Sequence, residues 1–60
     1  MILFHTPSGA EHPLVRDKIV GARAPLLGEY AKGVNAVIEL DGGGAVGVRE
    51  TLAEAAKMIG

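Results

Sequence analysis

The stretch that decides the fold is Val34-Asn35-Ala36-Val37-Ile38-Glu39-Leu40-Asp41-Gly42-Gly43-Gly44-Ala45-Val46-Gly47-Val48-Arg49. In it Val34, Ala36, Ile38 and Leu40 alternate with Asn35, Val37 and Glu39, the period-two pattern of a strand with one buried face. Asp41 to Gly44 supplies the positive-φ positions that a tight hairpin turn needs, because glycine lacks the Cβ that makes them costly. Ala45 to Arg49 returns as the partner strand. The stretch therefore predicts a β-hairpin with Val37 on its outer face.

C-terminal to the hairpin, Thr51-Leu52-Ala53-Glu54 is a capping box. The Thr51 hydroxyl is set to accept from the Glu54 backbone N–H, and the Glu54 carboxylate to accept from the Thr51 N–H. Leu52, Ala55, Ala56 and Ile59 then fall at helical spacing as one apolar stripe, and Gly60 is a terminator. About eight residues do not hold a helix alone, so this one must dock. Its platform is the face formed by Val34, Ala36, Ile38, Leu40, Val46 and Val48.

N-terminal to the hairpin, Met1 to Thr6 reads as a short strand and Pro7-Ser8-Gly9 as a turn. Pro13 has no N–H to donate, so Glu11 to Val15 reads as an edge strand or an irregular extended arm. Arg16-Asp17-Lys18 is a charged turn, and Ile19 to Ala24 a further strand ended by Pro25, with Gly21 marking a bulge. Leu26 to Gly33 follows neither period and reads as a long loop. The expected architecture is one α+β domain: a small, mostly antiparallel sheet of four to five short strands with one short C-terminal helix packed on it.

The chain has 60 residues, six Lys and Arg against seven Asp and Glu, and no Cys. A domain this short buries only about 60% of the surface its unfolded chain exposes, and is usually helped by disulfides, a metal or a partner. Without Cys, disulfides and thiolate metal sites are excluded. A partner subunit remains, and a homo-oligomer, first of all a dimer, is expected. The formal net charge of −1 gives no strong positive field for nucleic acid, and an apolar content of 48% is too high for a disordered chain. Met1 to Ala10 lacks the basic and apolar regions of an export signal or membrane span, so the expected location is the cytoplasm.

The chemical motifs have plainer readings beside them. Gly42, Gly44 and Gly47 spell the dinucleotide fingerprint, but in that fold the glycines open the helix directly, and here it starts about Thr51. They read as a glycine-rich hairpin. His5 and His12 are two imidazoles that face each other only if they share a hairpin face, and two ligands do not define a metal site. Glu39, Glu50 and Asp41 read as solvated strand, cap and turn residues, and Ser8 lies in a Pro-Gly turn without a nucleophile context. No enzyme, cofactor or metal is expected. Leu26, Leu27, Tyr30, Val37 and Met58 are candidate interface residues, each equally able to serve as monomer core. Arg16, Lys18, Arg23 and Arg49 are the candidate contacts of an alternative reading as a small DNA-binding module, which gains if they share one exposed face.

The run Met1-Ile2-Leu3 with the turn at Pro7 to Gly9, then Val37-Ile38-Glu39-Leu40-Asp41-Gly42, and above all Val46-Gly47-Val48-Arg49-Glu50-Thr51 leading to Glu54 and Ile59, resembles the small flagellar FlbD family, also called the swarming-motility SwrD type. The resemblance covers most of the chain. It implies a short β-sheet closed by one helix, an association with motility and no catalysis; joined to the burial argument, the expected function is a self-associating interaction or adaptor module that also binds a larger protein. From Ile19 to Ile59 the chain also resembles the longer LytTR-type DNA-binding module, through its Ile-rich strand, Tyr30, alternating strand, Asp41-Gly42 and Val48-Arg49-Glu50-Thr51-Leu52.

Overall fold

The computed structural model describes residues 1–26 and 33–60. The strands are β1 (Ile2–His5), β2 (Glu11–Leu14), β3 (Ile19–Arg23), β4 (Ala36–Leu40) and β5 (Ala45–Val48), followed by helix α1 (Leu52–Ile59). A 3-10 turn at Arg16–Lys18 joins β2 to β3. The chain is an α+β fold of antiparallel strands with one C-terminal helix. Its strands divide between two sheets: β1 pairs with β2, and β3, β4 and β5 form a second sheet with β4 in the middle.

The deciding hairpin forms as its sequence dictates. Ile38 pairs with Val46 and Ala36 with Val48, while Gly42 and Gly43 take φ of 90° in the turn. Val34 is the exception to the alternation. It precedes the strand and packs over Gly47, on the face opposite Ala36 and Ile38. The regular strand begins only at Ala36, since the Asn35 N–H bonds Val48 and its amide nitrogen bonds the Arg49 carbonyl.

In β1–β2 the register sets Phe4 opposite His12 and Ile2 opposite Leu14 on one face, and Leu3 opposite Pro13 and His5 opposite Glu11 on the other. The Thr6 N–H bonds the Ala10 carbonyl, so by alternation the Leu3–Pro13 pair is a non-hydrogen-bonded one. The missing N–H of Pro13 thus falls on the outer edge, where the ladder needs no donor. Between Ile19 and Gly21 the β3–β4 register shifts, and Val20 is the extra residue of that bulge, 70% exposed.

The core gathers Phe4, Leu14, Ala36, Ile38, Val48 and Ala55, with Ile2, Ile19, Ala22, Leu40, Val46 and Ile59 around them. Phe4, Ile38 and Val48 are fully buried, each stabilising the fold by about 1.5–3 kcal/mol before the entropy of ordering is charged. The capping box of α1 is present in full. The buried line of the helix runs through Ala55 and half-buried Ile59, whereas Ala56 is exposed and Leu52 is 39% exposed. The expected stripe is thus corrected by one side. Ala55 sits lowest because its small side chain lets the helix approach β3 and β4 closely.

Candidate functional site

His5 closes β1 at the corner where the two sheets meet. The Arg49 N–H, pointing out of the strand end of β5, bonds the His5 carbonyl at 2.8 Å. The His5 N–H donates to Glu50 Oε1 at 3.0 Å, and His5 Nδ1 lies 2.6 Å from Glu50 Oε2. An ionised carboxylate only accepts, so Nδ1 carries the proton. Burial would make the Glu50 carboxyl harder to ionise. The hydrogen bonds from the His5 ring and from the backbone N–H groups of His5 and Glu50, with the charge of the imidazole, outweigh it and hold its pKa below the ordinary glutamate value. Glu50 is therefore no solvated cap residue: its side chain is 13% exposed.

His5 and His12 lie on opposite faces of the β1–β2 hairpin, His5 outward and His12 toward the core, so the two rings do not share a site. Among the described residues no group of three or more His, Asp or Glu side chains is placed to hold a metal ion, and no cavity opens. No described helix is long and apolar enough to cross a membrane. The glycine motif lies wholly in the β4–β5 hairpin, with Gly47 beneath Val34 and the helix starting at Leu52.

Of the expected interface residues, Val37 is corrected: it is 3% exposed, buried by its own chain on the sheet face that carries Gly47 and Val34. The reason is that this sheet is covered on both faces at its centre. Leu26 is 62% exposed and Met58 37%. Leu27 and Tyr30 lie outside the described residues. The sequence reading missed a different apolar surface. On the outer face of β1–β2, Leu3 and Pro13 are exposed as a cross-strand pair, and Met1 and Val15 are exposed at the next register position. Val15 keeps an extended backbone, which carries the alternation past the end of the strand. The alternating exposure of Leu3 against Phe4 was the available signal, hidden because Met1 to Phe4 is apolar at every position.

The four candidate nucleic-acid contacts do not form one face. Arg16 and Lys18 sit in the turn before β3, with the Arg16 guanidinium beside Gly60. Arg23 ends β3 and is bonded to Glu39 Oε2 at 3.2 Å. Arg49 reaches the turn at Gly9, at the far end of the β1–β2 hairpin from Arg16. Compared with known proteins, the chain matches no family model, no curated protein and no solved structure.

Proposed function

We propose that this chain is a non-catalytic interaction module of the cytoplasm that pairs with a second copy of itself and presents the pair to a larger protein. The observation that carries this reading is the exposed apolar set Met1, Leu3, Pro13 and Val15 on one hairpin face. Contiguous apolar side chains outside a domain mark contact surfaces, and a chain this short gains most from covering them. The described polar groups support the same reading. His5, Glu50, Thr51, Glu54, Arg23 and Glu39 are spent on holding the fold. The resemblance to FlbD and SwrD proteins directs the search for the larger partner to the motility apparatus.

The test is molar mass by light scattering across a dilution series, with and without mixed-sequence duplex DNA. Twice 6.2 kDa, unchanged by DNA and reduced in a Leu3→Ser, Val15→Ser double variant, supports the module. A monomer at every concentration overturns it. A salt-sensitive mass increase with DNA replaces it with the DNA-binding alternative, which the separation of Arg16 and Lys18 from Arg23 and Arg49 disfavours.

A further inference from the structure

The β1–β2 hairpin is a complete two-stranded sheet with no ladder to β3–β5. Among the described residues, the hydrogen bonds that fasten it across space all end on His5: the Arg49 N–H on its carbonyl, and its own N–H and ring on the Glu50 carboxylate. The remainder of its attachment is apolar, with Phe4 and Leu14 entering the cluster of Ile38, Val48 and Ala55. The covalent link to β3 is short and lies outside the core. It is the Arg16–Lys18 turn, which holds no buried residue, is closed by the Lys18 N–H on the Val15 carbonyl and the Ile19 N–H on the Arg16 carbonyl, and is tied to the end of β4 by the Asp41 N–H on the Lys18 carbonyl.

A hairpin attached in this way has one kind of place to dock. Released, it exposes Phe4 and Leu14, and two strands alone are not stable in water. The surface that fits it exists only on β3–β5 and α1, its own or a second copy's. Docking of outer face on outer face adds to such a dimer but covers too little to hold it alone. Two strands of four residues cover a footprint of about 13 by 10 Å, whereas a stable interface takes about 800 Å² from each partner. That is about a fifth of the 3879 Å² surface of this chain. Exchange, by contrast, re-forms on the partner the contacts between hairpin and core, and costs the closed chain only the two backbone bonds that close the Arg16–Lys18 turn as it opens from 3-10 to extended. The exposed apolar side chains also fall where exchange puts them to use. Met1 and Val15 precede the turn and Val20 follows it, at the point where two crossing linkers run side by side.

We propose that two copies of this chain exchange their β1–β2 hairpins, each docking Phe4 and Leu14 into the other's core and closing His5 on the partner's Glu50. The inference rests on the self-association reading and states how that association is built. Its test uses the native chain, in which Phe4 is the only phenylalanine. A sample mixed from copies with ¹³C-labelled Ile and Val methyl groups and unlabelled copies is examined for isotope-filtered nuclear Overhauser effects between the Phe4 ring and the methyl groups of Ile38 and Val48. Exchange predicts that these cross-peaks appear between copies. It also predicts that inserting Gly-Ser-Gly-Ser between Asp17 and Lys18, which gives the closed chain more slack than the native turn and so favours it over the exchanged pair, weakens the dimer at least tenfold. A dimeric mass without intermolecular Phe4 contacts overturns exchange and leaves self-association standing on another surface. A monomeric mass throughout overturns both.

Discussion

His5 Nδ1 and Glu50 Oε2 stand 2.6 Å apart across 45 positions of chain. The pair joins the last residue of β1 to the residue before the helix cap, and with the Arg49–His5 backbone bond it ties together sheets that share no ladder.

Because the folded chain holds the Glu50 pKa below its unfolded value, ionised Glu50 stabilises the fold above the unfolded value of about 4.3, and that contribution is lost as pH falls through the lower, folded value. Glu50→Gln removes the charge and is expected to cost about 1.5 kcal/mol at pH 7. It should also flatten the loss of stability of the native chain on acidification below about pH 4.3. Urea unfolding midpoints at pH 7 and pH 3 check both. Parallel acid dependence in the two proteins would sink the assignment.

Gly47 and Gly21 give opposite outcomes for the same change. A Cβ on Gly47 falls 3.1 Å from a Val34 methyl, and Val34 is buried, so Gly47→Ala is expected to destabilise by about 1 kcal/mol through overpacking. A Cβ on Gly21 meets nothing within 4 Å. Gly21→Ala is expected to stabilise by about 0.5 kcal/mol, by restricting the unfolded chain. Thermal unfolding of the two variants side by side measures the contrast.

On α1, Ala55 is fully buried and Ala56 is exposed. Ala55→Leu forces extra methylene groups between helix and sheet and is expected to cost about 1–3 kcal/mol. Ala56→Leu should stay within about 0.5 kcal/mol of the native chain. Equal effects in denaturant titrations would place the helix in the wrong rotation.

The capping box predicts a loss at the start of the helix. Thr51→Ala removes the acceptor for the Glu54 N–H, 3.2 Å away, and is expected to cost about 1 kcal/mol, whereas Thr51→Ser should retain most of it. Far-ultraviolet circular dichroism during thermal unfolding reads both, and an alanine variant as stable as the native chain would contradict the cap.

Much of this fold is legible locally. The β4–β5 hairpin follows from alternation and a glycine turn, the helix start from Thr51 and Glu54, and the bulge from Gly21. The rotation of the helix was not legible, because Leu52, Ala55, Ala56 and Ile59 are all apolar and only the sheet beneath selects which of them is buried. Val34 kept the alternating pattern in sequence yet lies on the other face, since Asn35 bonds out of register before the strand begins.

The sequence by itself determined the elements and their order, because hydrophobic period, turn glycines and capping side chains act over a few residues, and those residues carry their own signal. Only the tertiary structure decided that the strands form two sheets rather than one, that Val37 is covered on its outer face, and that Glu50 leaves solvent for His5. These depend on groups far apart in the chain. Their energies arise only when burial removes water from between them, and no local pattern of residues specifies which distant partner that will be.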